Sequence, residues 1–254
     1  MKAKKELGQN FLIDEHIVNI LIQEGEVNNT DKVLDIGSGK GFVTKALSEK
    51  AGNVLGVELD KDLIPVLTSN LSQFKNVEIE NGDILTFLED KSNHKRFNKI
   101  VSSIPFQITS PLLHKIINIR STIDICVLLI QKEVAERVTA KPPKANYLSI
   151  FLQTFFKVEL ITVVSKESFY PKSEVDGAII KLTPLKKSLV KDDVKYSKFL
   201  HHGFTQQRKM LYKRFKKEVL EKAGIDTTRR AETLSVEEWV KIFKNSSLIW
   251  PMSS

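Results

Sequence analysis

The sequence predicts an α/β fold, a mostly parallel sheet covered by helices on both faces, followed by a small helical C-terminal region. Three observations predict it. Short apolar, β-rich runs alternate with helical segments from Lys32 to Ile130. A glycine-rich turn stands directly after the first of those runs. The alternation stops after Pro184. Strand–helix alternation means βαβ units, whose crossovers bury a parallel sheet on both sides.

The strands are predicted at Val33–Ile36, Val54–Val57, Val77–Glu80, Ile100–Ser102 and Cys126–Ile130. Between them, Phe42–Lys50 and Leu63–Leu71 carry apolar residues at helical spacing. A helical stretch follows over Glu133–Phe156, interrupted by Pro142-Pro143, and then two more strand-like runs, Val158–Val164 and Ala178–Leu182. That order predicts a parallel core closed by a late hairpin. Lys186–Lys195 reads as a polar linker, and helices are expected over Val194–Gly203, Arg208–Ala223 and Ser235–Phe243. Ser235 and Glu238 have the spacing of a capping box, and Gly224 can end the middle helix. The expected domains are therefore residues 1–185 and residues 186–254.

Of the 254 residues, 41% are hydrophobic and 28% charged, the balance of a soluble globular protein. No apolar run reaches the roughly 18 residues of a membrane span, and the charged start Met1–Glu6 leads into no signal core. The single cysteine, Cys126, lies in an apolar run and is expected to be a buried core thiol, which fits a reducing, cytoplasmic setting. A monomer is expected. The net charge of +8 is localised: residues 1–185 hold 23 basic and 23 acidic side chains, residues 186–254 hold 16 and 8. A neutral body with a basic end points to a polyanionic partner.

Chemistry concentrates where the predicted strands end. Val33-Leu34-Asp35-Ile36-Gly37-Ser38-Gly39-Lys40-Gly41 runs a strand into a glycine turn and then a helix. Glycines let backbone approach a ligand closely. Phe42 at the sixth position departs from the dinucleotide fingerprint, and no Gly-Lys-Ser/Thr follows for a P-loop. Glu58 ends the next strand, where a carboxylate can accept both hydroxyls of a ribose. Gly82-Asp83 follows the third, where an aspartate can accept from an adenine amino group. Three such loops in this order resemble those of class I S-adenosylmethionine methyltransferases, whose sheet is Rossmann-like.

Ser103-Ile104-Pro105-Phe106 follows the fourth strand. It resembles the Asn-Leu/Ile-Pro-Tyr/Phe signature of N6-adenine methyltransferases. Leu7-Gly8-Gln9-Asn10-Phe11-Leu12 is similar to the N-terminal signature of ribosomal RNA adenine dimethyltransferases. Gln107–Leu112, Gln131–Arg137, Phe169-Tyr170-Pro171 with Val175-Asp176, Phe204–Lys209 and Leu234–Glu238 resemble later parts of that family. The resemblance spans Lys5 to about Phe243.

It implies S-adenosylmethionine as cofactor, no metal, and ribosomal RNA in a small-subunit precursor as partner. Asn10, Leu12, Gly37, Gly39, Glu58 and Asp83 would contact the cofactor, and Ser103 would lie between cofactor and base. The Ile104 carbonyl would hold an amino hydrogen, Pro105 would fix the turn, and Phe106 and Phe169 would clasp the adenine. Arg208, Lys209, Lys213 and Arg214 are the expected RNA contacts of the basic region. The implied reaction is N6-methylation of two adjacent adenines near the 3′ end of small-subunit ribosomal RNA. A large-subunit enzyme of the erythromycin-resistance type and a non-catalytic assembly factor are the alternatives. The chain departs from the family pattern with Ser103 for Asn, Ser173-Glu174 for Pro followed by Lys or Arg, and Gly177 for Ser.

Overall fold

In the computed structural model, which describes residues 4, 9–206 and 209–246, the predicted strands form one seven-stranded sheet. The elements, in chain order, are β1 (Phe11–Leu12), α1 (Glu15–Glu24), β2 (Lys32–Ile36), α2 (Phe42–Ser48), β3 (Asn53–Glu58), α3 (Ile64–Leu71), β4 (Val77–Asn81), α4 (Ile84–Phe87), β5 (Lys99–Ser103), α5 (Thr109–Asn118) and β6 (Ile125–Gln131). They continue with α6 (Lys132–Thr139), α7 (Tyr147–Gln153), β7 (Phe156–Val164), β8 (Phe169–Tyr170), β9 (Gly177–Pro184), α8 (Asp193–Phe204), α9 (Lys217–Lys222) and α10 (Val236–Ser246).

The sheet order is β4-β3-β2-β5-β6-β9-β7. The ladders from β4 to β6 are parallel, and β9 lies antiparallel to β6. The late pair of strands thus closes one edge, as expected. β8, which falls between them in sequence, pairs with β1 instead, Phe11 opposite Tyr170 and Leu12 opposite Phe169. Strands buried on both faces read as continuous apolar runs. β6 shows it: Cys126 through Ile130 are fully buried.

Three of the described helices, α1, the short α4 and α5, are not among those the sequence predicts. α1 buries Ile17, Val18 and Leu21 behind an Asp14 cap, whose carboxylate accepts from the His16 and Ile17 amides and from the Ser168 hydroxyl. α5 buries Leu112, Leu113, Ile116 and Ile117.

At the N-terminal end of the sheet, charge is paired. Lys99 on β5 donates to Asp31 at 2.9 Å and to the Glu26 carbonyl at 2.7 Å, with both charged side chains buried. Asn98 donates to the other Asp31 oxygen at 3.2 Å and accepts from the Lys32 amide. Burial alone would raise the Asp31 carboxyl; Lys99, the Asn28 amide and Asn98 outweigh it and hold it below the usual carboxylate range.

The chain packs as two units, Met1–Ala135 with Lys157–Pro184, and Glu136–Phe156 with Leu185 onward. The second unit therefore also takes in Glu136–Phe156, which the expected boundary at residue 185 assigns to the first. Its core is aromatic: Tyr196, Phe199 and Trp239 are buried, with Tyr196–Phe243, Phe199–Phe215 and Phe204–Trp239 centroids 5.0, 5.1 and 5.0 Å apart. Ser235 and Glu238 form the expected capping box on α10. The long helix expected over Arg208–Ala223 is not formed. Met210 bridges to Arg230, Leu211–Lys213 make a single 3-10 turn, and α9 starts only at Lys217. The Lys216 backbone is extended there (φ −60°, ψ 138°), which stops helical hydrogen bonding from running through.

Candidate active site at the strand ends

The chain leaves β2 toward β3 and β4 on one side and returns to β5 on the other. Loops after β2 and β5 therefore diverge, opening a crevice at the carboxyl ends of the strands. The glycine turn, Glu58, Asp83 and the Ser103–Phe106 tetrapeptide all stand at that end of the sheet.

The glycine turn is held from three sides. Gly37 and Gly39 have φ of +69° and +57°, where a side chain is strained. The Gly37 amide donates to the Val57 carbonyl at 2.8 Å. A Cβ on Gly37 would lie 2.8 Å from Pro105 Cδ, so the turn and the tetrapeptide are in direct contact. The Ser102 hydroxyl donates to the Ile36 carbonyl at 2.7 Å and accepts from the Ile36 amide at 3.0 Å. It thus stitches β2 to β5 beyond the last ladder pair, Leu34 opposite Ile100, where the strands begin to part.

Glu58 is buried, and each of its oxygens is oriented by a backbone amide, Gly39 at 2.8 Å and Asp60 at 2.8 Å. A carboxylate offers about four acceptor positions, so two remain for a vicinal diol. Asp83 caps α4 through the Leu85 amide at 2.9 Å. The N-terminal segment is anchored beside them: Gln9 and Lys4 both donate to Asp60, at 2.8 and 2.7 Å. Burial would raise the Asp60 carboxyl, but these two donors hold it below its ordinary value.

Two adjoining cavities open here. The smaller, about 110 Å³, is lined by Asn10, Gly37, Gly39, Glu58, Asp83 and Ser103 among others. The larger, about 410 Å³, shares Asn10, Gly37, Gly39 and Ser103 and adds Leu12, Asp35, Lys40 and Tyr170. The structure thus brings every residue predicted to touch the cofactor onto the walls of these two adjoining cavities.

Asp35 belongs to the glycine motif, but sequence alone points to no role for it. It is buried, accepts from the Thr44 hydroxyl at 2.6 Å and lines the larger cavity. Burial pushes its pKa up to about 6, against the hydrogen bonds of Thr44, Ser102 and Ser38 and with a further push from the Glu58 charge.

The aromatic clasp needs correction. Phe169 is buried at 3% exposure, and its ring stands edge-on to Phe106 with centroids 5.9 Å apart and planes at 74°. A base between two parallel faces needs two stacking contacts of about 3.5 Å each. Phe169 instead belongs to the core and backs Phe106. Residues alternate faces along a strand, so its neighbour Tyr170 faces out, 64% exposed, and lines the larger cavity. Ile104 is buried and Pro105 lines the smaller cavity.

In the basic region, Arg208 lies outside the described residues. Arg214 is engaged by α8, donating to the His202 carbonyl at 3.1 and 3.0 Å, and Lys213 lies over the Tyr212 ring at 4.9 Å. Arg214 thus satisfies a carbonyl near a helix end rather than presenting a free charge.

A model of the family described as ribosomal RNA adenine dimethylase matches residues 1–247. The chain belongs to this family. A ribosomal RNA small subunit methyltransferase A from Clostridium botulinum (strain Kyoto / Type A2) is 35% identical, over 95% of this chain and 93% of that protein. A dimethyladenosine transferase from Plasmodium falciparum superposes with a TM-score of 0.85 at 25% identity, covering 94% of this chain and 98% of its own. The 23S rRNA methyltransferase ErmE superposes with a TM-score of 0.76 at 25% identity, over 93% and 99%. The protein is an S-adenosylmethionine-dependent methyltransferase with the class I sheet. The oriented Glu58 carboxylate and the glycine turn beside it fit this cofactor: one suits its ribose, the other the close approach of its chain. Among the described residues no helix is long and apolar enough to cross a membrane.

Proposed function

We propose that this enzyme methylates N6 of two adjacent adenines near the 3′ end of small-subunit ribosomal RNA. The observation that carries the choice of subunit is the end-to-end likeness to a small-subunit methyltransferase, 35% identical over 95% of the chain. The substrate supports a cytoplasmic site of action, and we take the working unit to be one chain.

S-adenosylmethionine supplies a methyl group already activated by its sulfonium charge. The chain's own residues bind and orient. Glu58 accepts the ribose hydroxyls, Asp83 the adenine amino group of the cofactor, and Gly37 and Gly39 admit its chain, with Asn10 and Leu12 lining the larger cavity beside them. Adenine N6 is a weak nucleophile because its lone pair is delocalised into the ring. Catalysis therefore consists of holding the amino hydrogens and fixing the ring in line with the donor. The Ile104 carbonyl holds one hydrogen, the Ser103 hydroxyl reaches for the other, and Phe106 offers a face to the base, backed by Phe169. Lys209 and Lys213 supply phosphate contacts in the basic region.

Ser103 has a shorter arm than the asparagine usual in the family. The first methylation starts from an amine with two hydrogens, which Ile104 alone can orient. The second starts from a bulkier amine with one hydrogen and depends more on position 103. Monomethyladenine is therefore expected in the product beside dimethyladenine, and Ser103→Asn should raise the dimethyl fraction. Nucleoside mass spectrometry, with mapping of the modified nucleotides, tests both points. Complete dimethylation by the unaltered enzyme refutes the role of Ser103, and modification of large-subunit RNA alone refutes the substrate.

A further inference from the structure

β8 places two neighbouring aromatic rings on opposite faces, and only one of them serves the core. Tyr170 keeps 64% of its surface open at the wall of the larger cavity, the space that also reaches Ser103. Its backbone is fixed by pairing with Phe11, and the Ile13 amide extends that pairing by donating to the Ser168 carbonyl at 2.9 Å. The ring is thus presented to solvent from a held strand.

The exposed charges in this cavity's lining are both positive. Lys40 and Lys45 line the same cavity, both exposed, and neither ion-pairs with a described carboxylate. Lys40 lies 5.0 Å from the Phe11 ring. The acid in this lining, Asp35, is buried. An open aromatic face beside two ammonium groups with no ion pair to a described carboxylate is the combination that binds single-stranded nucleic acid, the ring stacking a base and the cations meeting phosphates.

The target adenine must reach Ser103, inside the cavity. A ring this exposed stands at the cavity's open side, where the next nucleotide of the strand passes. We propose that Tyr170 is the stacking platform for the base adjoining the target adenine, and that Lys40 and Lys45 neutralise the phosphates on either side of it. This rests on ribosomal RNA as substrate and adds a second base-recognition point to the catalytic unit, apart from the basic C-terminal region.

The test is a binding cycle. A fluorescently labelled RNA hairpin carrying the target adenines is titrated by anisotropy against the full enzyme and against Tyr170→Ala, Tyr170→Leu and Tyr170→Phe. Each titration is repeated with hairpins abasic at the nucleotide on either side of the target. Loss of one base stack is expected to weaken binding by about fivefold to a hundredfold in the Ala and Leu variants. Tyr170→Phe, which keeps the π-face, should stay within about twofold of the unaltered enzyme. On one of the two abasic hairpins the unaltered enzyme should lose affinity while Tyr170→Ala loses none further. Lys40→Gln with Lys45→Gln should reduce the salt slope of binding by about 1.4, the value for two phosphates on a single strand. Circular dichroism and thermal unfolding report that the variants are folded. Leu performing as well as Phe, or an abasic penalty that persists undiminished in Tyr170→Ala, overturns the proposal. Mass-spectrometric mapping of methylation to a different RNA bears on the substrate alone, because stacking is read from binding.

Discussion

The two ends of β2 each bury an aspartate, and they treat it in opposite ways. Asp31, just before the strand, is paired with Lys99 at 2.9 Å and bonded to Asn98, and its carboxyl is held low. Asp35, four residues on, has hydroxyl partners and the nearby Glu58 charge, and its pKa is pushed up to about 6. A buried charge is tolerable when paired and costly when it is not. The first end is finished as a structure. The second is held by hydroxyl donors on the wall of the larger cavity. The contrast distinguishes a buried carboxylate neutralised by a buried lysine from one met by hydroxyl groups.

The largest effect should come from breaking the finished end. Lys99→Met leaves Asp31 buried and unpaired, and removing one partner of such a pair costs about 3–5 kcal/mol. Urea unfolding should show that loss, while methyl transfer per folded molecule is retained. Adding Asp31→Asn should recover part of it. A loss below about 1 kcal/mol would mean that water reaches the pair and that the two ends differ less than their burial indicates.

At the other end, Glu58→Ala should weaken S-adenosylmethionine binding by about tenfold to a hundredfold. Hydrogen bonds to a charged acceptor are each worth about 1.5–3 kcal/mol, and the Gly39 and Asp60 amides lose their partner as well. Unchanged affinity in a calorimeter would remove Glu58 from the cofactor site.

Asp35 gives the smallest and most diagnostic effect. Its folded pKa stands above its ordinary value of 3.8, so the folded protein favours the protonated form. That stabilising preference is complete below about pH 4 and is lost as pH rises through about 6. A cationic ligand favours the ionised form. Cofactor affinity should therefore rise with pH through about 6, by up to about tenfold per pH unit on the acid side. Asp35→Asn should flatten the profile. A wild-type affinity that is level from pH 5 to 7.5 would show that Asp35 and the cofactor do not interact.

Much of the fold is legible because a parallel sheet writes itself as apolar runs: the five parallel strands appear within two residues of their predicted limits. The signals for α1 and α5 are also present, an aspartate cap before α1 and apolar residues at i, i+3 and i+4 in both, although neither helix is among those predicted. The glycine turn, Glu58 and Asp83 are legible because each stands at a strand end, whereas Asn10 and Leu12 come from the resemblance alone. What is hidden depends on partners distant in sequence. Whether Phe169 or Tyr170 faces the cavity is decided by pairing with β1, more than 150 residues away in the chain. Lys99 and Asp31 meet across 68 residues. The expected helix over Arg208–Ala223 does not form because the strand-like bridge from Met210 to Arg230 competes for the same backbone.

The contact between Gly37 and Pro105 has a consequence for engineering. Even a methyl group added to the glycine turn would press on the proline of the catalytic tetrapeptide. Mutations in the two loops should therefore show epistasis: an alanine at 37 meets both the strain of its positive φ and Pro105, and a smaller or shifted residue at 105 relieves only the second. A library that randomises one loop at a time samples a landscape in which nearly every step leads downhill. Diversifying residues 37–41 and 103–106 together opens the paths between them.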